Sequence, residues 1–268
     1  MKKIALFIKP DVKSEEYARK FCDISGVDFF DSATAAGVKP DAVVCFGGDG
    51  TILRAVPYAV KNDAPVISVN TGALGYLSSF GTDDRELFCK TLLQDIIDYD
   101  EINLFSVKSS GCAEDLLFLN DVVIQRKTCE NFPSCAVSLR VFVDDKLCQS
   151  FNADGVIVSS PIGSTAYSWS AGGAVLAPDV SAVIITPICA HSNARPIVIS
   201  DKCKIGIELG EKSHDCVVCA DGKYAFALHG KEHIVIGLAE KKLKLLRGNT
   251  DYYTRLNMKL LKWGNDNV

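Results

Sequence analysis

At 268 residues, 48% hydrophobic and 23% charged, with a formal net charge of −4, the chain has the composition of an ordinary globular protein. The acidic balance gives no support for a nucleic-acid or anionic-membrane surface, so any anionic ligand has to be held by local groups. No run reaches the roughly 18 apolar residues of a membrane span. In the opening MKKIALFIKP the apolar run meets Lys9, Pro10 and Asp11 before it is long enough for a signal peptide, and a cytoplasmic protein is expected.

KIALFI predicts a first strand and residues 12–24 a helix. DAVVCF predicts a strand, 51–61 a helix and PVISVN a strand. Residues 83–97 predict a helix with Asp83, Asp84 and Glu86 near its positive end. Strands alternating with helices indicate a parallel sheet of βαβ units. After Asp100 strand-like runs follow one another, from EINLFSVKSS, EDLLFLNDVVIQRK and CAVSLRVFVDD to DCVVCAD and HIVIGLA, with Asp144-Asp145 as a hairpin turn. One helical insertion falls in GSTAYSWSAGG, capped by Ser164 or Thr165. The close, TDYYTRLNMKLLKWG, returns to a helical pattern that Thr250 or Asp251 can cap and Gly264 can stop. The expected fold is α/β plus all-β. A Rossmann-like α/β domain with a parallel sheet covers 1–100, a β-sandwich domain covers 101–249, and residues 250–268 return to the first domain.

Eleven scattered cysteines in such a chain read as reduced thiols. Cys216 and Cys219 have CxxC spacing near His214, but residues three apart on a strand face opposite sides, which argues against a metal site. The four histidines form no Ser/His/Asp or H-E-x-x-H arrangement.

The chemistry-bearing stretch is VVCFGGDGTILRAV. Gly47, Gly48 and Gly50 stand between a strand and a helix, where loop amides and the helix dipole can cradle phosphate. The spacing is neither G-x-G-x-x-G nor a Walker A loop. Asp49 or Thr51 can simply cap the helix. Alternatively Asp49 helps hold Mg²⁺, or accepts the proton of a hydroxyl attacking a γ-phosphate. NTGALGYLSSF also follows a strand, on the same carboxyl edge of the sheet, where ligands of open α/β sheets bind. In LNDVVI, Asn120 and Asp121 read either as a turn or as a grip on ribose hydroxyls. In ADGVIVSSPIGSTAYSWSAGG, helix-start amides, hydroxyls and Tyr167 suit a nucleoside, against a purely structural Gly-rich loop.

Taken in order, GGDGT, NTGALGYLSSF, LNDVVI, ADGVIVSSPIGSTAYSWSAGG, ITPICAHSNARPIVIS and the closing LKWG resemble the NAD kinase family over most of the chain. GGDGT alone also occurs in phosphofructokinases and in diacylglycerol and sphingosine kinases; the long fourth motif is the specific one. The resemblance implies ATP-dependent phosphorylation of the adenosine 2′-hydroxyl of NAD, with Asp49 as proton acceptor. Gly47, Gly48, Gly50 and Thr51 form the phosphate loop, and Gly50, Arg54 and Tyr76 contact the dinucleotide. Asn120 and Asp121 hold the adenosine ribose. Asp154, with Asn152 two positions before it, serves the nicotinamide end, and the 188–191 stretch with Cys189 contributes to the substrate site across a subunit interface. Thr165, Ala166, Tyr167 and Ser170 line the adenine region, and Ile162 and Lys223 are further NAD contacts. Mg²⁺ or another divalent cation enters with ATP; its protein ligand is left open, with Asp49 the candidate. A homodimer or homotetramer is implied, with no nucleic-acid or membrane partner.

Three positions depart from the family pattern: Asp121 stands for a usual Glu, Asn152 for a usual basic residue, and Lys223 for a usual Gln. A lipid or sugar kinase sharing GGDGT, and a nucleotide-binding regulator without catalysis, are the alternatives.

Overall fold

The strand–helix alternation of the first hundred residues is present in the computed structural model, with one strand more than the sequence reading predicts. The structure describes residues 1–32, 37–72, 75–109, 115–127, 136–210, 213, 215–230, 232–248 and 250–265, the last six by their backbone only. The chain divides into two units, one of Met1–Ile102 with Lys241–Val268 and one of Asn103–Glu240.

The first unit runs β1 (Lys2–Ile8), α1 (Val12–Phe21), β2 (Val27–Asp31), β3 (Ala42–Phe46), α2 (Asp49–Asn62), β4 (Val66–Val69) and α3 (Arg85–Leu93). The strands pair in parallel in the order β2-β1-β3-β4. Every residue of β3 and β4 is buried, as expected of central parallel strands covered on both faces. Phe21 of α1 and Phe88 and Leu92 of α3 join Ile4, Val44, Phe46, Ile67 and Val69 in one core cluster. α2 buries Ile52, Ala55, Val56 and Ala59, and its Tyr58 ring meets Phe7, which alternates to the other face of β1.

β2 is the strand that sequence reading missed. VDFFD is short and only half-buried at the sheet edge, so it carries little of the apolar signal that marks β3. Three helix boundaries also differ. α1 stops at Phe21, with Cys22 as its C-cap. α3 covers 85–93 rather than 83–97, because Gln94 is already extended. α2 begins at Asp49, two residues before the predicted start, with Gly48 as N-cap.

The second unit holds β5 (Asp100–Ser109, its first three residues in the first unit), β6 (Leu116–Phe118), β7 (Asp121–Arg126), β8 (Val137–Val143), β9 (Lys146–Ala153) and β10 (Gly155–Ser159). After a 3₁₀ turn at Ile162–Thr165 and the single-turn α4 (Tyr167–Ser170) come β11 (Ala182–Ile188), β12 (Ile197–Ser200), β13 (Ile205–Leu209), β14 (Cys216–Ala220), β15 (Lys223–Leu228) and β16 (His233–Leu245). One antiparallel sheet has the order β12-β11-β10-β7-β14-β15. Facing it, β16, β13, β8 and β9 pair antiparallel. Val122, Ile124, Val156 and Val158 from the first and Leu139, Val141, Ile205 and Ile207 from the second share one apolar core, which makes this unit a sandwich.

The β8–β9 hairpin turns at Asp144-Asp145, both at positive φ, as the sequence predicts. The run EDLLFLNDVVIQRK, expected as one strand, is broken into β6 and β7 by a bend at Leu119-Asn120. No side chain caps α4; Ser164 instead donates to Pro161 O and accepts from Leu176 N–H, so the expected cap is absent.

From Lys241 the chain belongs to the first unit again, earlier than the expected return at 250. The cause is the length of β16, whose Leu245 pairs in parallel with Val66 of β4. The closing helix α5 (Tyr252–Asn265) is capped by Asp251, whose Oδ1 accepts the Thr254 N–H at 2.9 Å. Its span includes Gly264, which therefore does not stop it.

Candidate active site

In the first unit the site is built where β3 runs into α2. Gly47 has φ +150°, and a Cβ there would stand 2.2 Å from Thr51 Oγ1, so only glycine lets the chain turn this closely into the helix. Asp49 is not the helix cap. It lies in the first turn of α2, where its charge suits the helix dipole, and its carboxylate reaches out to the segment after β4. Oδ2 accepts the N–H of Tyr76 at 2.9 Å and Oδ1 that of Leu77 at 3.1 Å. Lys259 of α5 places its ammonium 3.4 Å from Oδ2 and 3.8 Å over the Tyr76 ring. A Cβ on Gly75 would fall 2.3 Å from Asp49 Oδ1, so this glycine exists to let the carboxylate lie on the backbone.

Arg255, one helical turn before Lys259, is 6% exposed. Its guanidinium donates to the carbonyls of Gly75 at 3.2 Å, Tyr76 at 3.1 Å, Ser78 at 2.8 Å and Thr250 at 3.1 Å. Burial pulls its pKa down from the usual arginine value. Neither Arg255 nor Lys259 was singled out in the sequence; their only signal is the i, i+4 spacing on one face of the closing helix.

A carboxylate has about four lone-pair positions. Three are used by Tyr76, Leu77 and Lys259, so among the described contacts one remains for a hydroxyl. Direct metal ligation fits poorly, because a cation already stands on Oδ2. Among the described residues no three His, Cys, Asp or Glu side chains gather into a metal-holding group. Among the described residues the donors do not gather a protein-held divalent ion.

On the other side of the α2 N-terminus lies a cleft of about 540 Å³ lined by Gly48, Gly50, Thr51, Arg54, Lys9 and Lys13, with Asp11, Thr71 and Gly72. Arg54 is tethered by donating to Ile8 O at 3.0 Å. Asp11 pairs with Lys9 at 2.8 Å, which with the Ser14 N–H holds its carboxyl at about 2. Three cations around a helix start make an anion site. Lys9 and Lys13 were missed; their signal is a basic residue at the carboxyl end of the first strand and another four positions on. Gly47 does not line the cleft.

In the second unit, Asn120 and Asp121 sit at the bend before β7. Asp221, in the β14–β15 turn, accepts the N–H groups of Leu119 at 2.8 Å, Asn120 at 2.7 Å and Asp121 at 3.3 Å. Gly163 packs on the same bend, where a Cβ would stand 2.0 Å from Asn120 O. The structure thus brings Asn120 and Asp121 together with the 162–165 turn, and with Lys223, two residues after Asp221 and electrostatically coupled to it. Burial first, and the Asp221 charge second, push the Asp121 carboxyl up to about 7. Burial raises Asp221 as well, while its three amide donors oppose that rise. Tyr167 is exposed, Thr165 and Ala166 are partly buried, and Ser170 is exposed.

At the far end of β7 and β10, about 16 Å away at the usual strand rise, Asp154 pairs with Arg126 at 2.9 Å. Its backbone N–H donates to Ile188 O, next to the exposed Cys189 at φ +49°. Asn152 O accepts from His191 N–H. The cation beside Asp154 is Arg126, which sequence reading missed. Cys216 and Cys219 lie on β14, the first buried, as the strand reading expects; His214 lies outside the described residues. Among the described residues no helix is long and apolar enough to cross a membrane.

In the first unit, a glycine loop that opens a helix beside three cations, with a fixed carboxylate in the first turn, suits a phosphotransferase. The sequence matches the model of the ATP-NAD kinase N-terminal domain over residues 14–102 and that of the C-terminal domain over 119–248. It is 33% identical to the NAD kinase of Desulforamulus reducens over 239 residues, 87% of this chain and 82% of that one. The solved NAD kinase of Archaeoglobus fulgidus in complex with ATP is similar over 97% of each chain, with TM-score 0.71 and 26% identity. The yeast NADH kinase complexed with NADH covers all of this chain and 89% of its own, with TM-score 0.81; at 23% identity it speaks for the fold. The chain belongs to the ATP-NAD kinase family, and the lipid- or sugar-kinase alternative falls away.

Proposed function

We propose that this NAD kinase transfers the γ-phosphoryl group of ATP to the adenosine 2′-hydroxyl of NAD, giving NADP, with Asp49 as the acceptor of the hydroxyl proton. The observation that carries this reading is the Asp49 carboxylate, fixed by two amides and a lysine with one lone pair open among the described contacts, between Gly48 and Gly50, which line the cationic cleft. Phosphoryl transfer asks the protein mainly for positioning and charge neutralisation. Lys9, Lys13, Arg54 and the Gly48, Gly50 and Thr51 amides take phosphate oxygens, and Gly47 shapes the turn. The divalent ion belongs to the MgATP substrate.

In the same proposal Asn120 and Asp121 grip the adenosine ribose, and Ile162, Thr165, Ala166, Tyr167 and Ser170 line the adenine. Asp154, held by Arg126, takes the nicotinamide end with Asn152 and Cys189. Tyr76 and Lys223 complete the dinucleotide contacts. Location in the cytoplasm and assembly as a homodimer or homotetramer belong to the reading too; light scattering of the purified chain checks the assembly.

The test is NADP formation by the purified chain, with NAD or NADH as acceptor and ATP or polyphosphate as donor. Asp49→Asn should lower turnover by about 10²–10⁴, the range general-base catalysis supplies, while NAD still binds. A near-wild-type rate in Asp49→Asn would sink the base role.

A further inference from the structure

We propose that Arg255 is a positioning residue for Asp49, acting through two consecutive peptide groups of the 75–77 segment; the proposal rests on Asp49 being the proton acceptor. Arg255 makes no hydrogen bond to Asp49, and it meets Tyr76, a proposed dinucleotide contact, only at the backbone carbonyl. Its Nη1 donates to the carbonyl of Gly75, and the N–H of that same peptide group, on Tyr76, donates to Asp49 Oδ2. Nη1 also donates to the carbonyl of Tyr76, and the N–H of that peptide group, on Leu77, donates to Asp49 Oδ1.

A trans peptide points its C=O and N–H in opposite directions, and no described peptide here is cis. One cation therefore stands behind two adjacent peptide groups whose donors converge on the two oxygens of one carboxylate. Hydrogen bonds in such a chain polarise one another: a carbonyl drawn toward a guanidinium leaves its N–H a stronger donor. The carboxylate plane is fixed from both oxygens, which leaves its open lone pair aimed in one direction. Nη2 on Ser78 O and Nε on Thr250 O lock the guanidinium itself, a fork that lysine cannot reproduce.

Burying a guanidinium among carbonyls, with no carboxylate in direct contact among the described residues, is costly. A plain fastening of α5 to the segment would not need a permanent charge. A charge that orients the reacting carboxylate accounts for it.

The experiment measures kcat, the KM for NAD and for ATP, NAD affinity and melting temperature for Arg255→Met and the milder Arg255→Lys, each alone and combined with Asp49→Asn. A positioning role predicts that Arg255→Met lowers kcat at least about tenfold, with the NAD KM within about threefold, and that the same change in the Asp49→Asn background costs less than about threefold more, because the residue then has nothing to position. Either of two results overturns it: kcat within about twofold of wild type for both Arg255 variants, or the same fold loss with and without the Asp49 carboxylate, which marks a merely structural part. Should Arg255→Met lose its cooperative melt, Arg255→Lys decides by the same criteria. A near-wild-type rate for Asp49→Asn removes the base reading itself, a result distinct from lost coupling.

Discussion

The ammonium of Lys259 stands 3.4 Å from Oδ2 of Asp49, 210 residues earlier in the chain, and 3.8 Å over the ring of Tyr76. A carboxylate next to a phosphate site is repulsive unless something offsets its charge, and here a lysine does so. Lys259→Met should raise the KM for ATP about three- to tenfold at low salt, as expected for losing a partly exposed ion pair worth about 1 kcal/mol. The increase should shrink near 0.5 M salt (on the order of that concentration), where screening is within about 5 Å. A KM for ATP that stays at the wild-type value at low salt would show that Lys259 plays no such part.

Gly75→Ala tests the close approach. The new methyl would overlap Asp49 Oδ1 and Ser78 Oγ, at 2.3 and 2.4 Å. Overpacking of this kind costs about 1–3 kcal/mol. The carboxylate must also leave its two amides. Turnover should fall at least about tenfold and the melting temperature by several degrees; an active, equally stable Gly75→Ala would refute the packing argument.

Asp121 makes stability depend on pH. Its native carboxyl is raised to about 7 from the ordinary 3.8. Between those values the native state binds more protons than the unfolded one, so stability falls as the pH rises, by at most about 1.4 kcal/mol per pH unit, and the loss is complete above the native pKa. Asp121→Asn should flatten this slope in urea titrations between pH 4 and 7 (on the order of one proton's linkage). An unchanged slope would show that Asp121 does not titrate there.

Gly163→Ala addresses the ribose bend. A Cβ would stand 2.0 Å from the backbone oxygen of Asn120, so the bend must shift. The KM for NAD should rise about tenfold or more, with the KM for ATP changed far less. Equal rises for both substrates would mean that the shift is not confined to the nucleoside side.

Much of this protein is legible in its sequence, because its signals are local. The βαβ alternation, the glycines before α2, the Asp144-Asp145 turn and the Asp251 cap each depend on residues a few positions apart, whose backbone preferences and periodicity act without the rest of the chain. The motif order was enough to indicate the family. What the sequence hid are partnerships set by long-range packing. Lys259 and Arg255 reach the 75–77 segment from the closing helix. Asp221 holds the bend a hundred residues before it. Arg126 pairs with Asp154 from a strand 28 residues before it. No spacing rule links such residues, because their distance is fixed by which strands pair and where a long strand such as β16 ends. The sequence by itself determined that a carboxylate stands in the glycine loop. The tertiary structure decided how that carboxylate is held: it is not a helix cap, because two backbone amides and a lysine from the far end of the chain bind its oxygens.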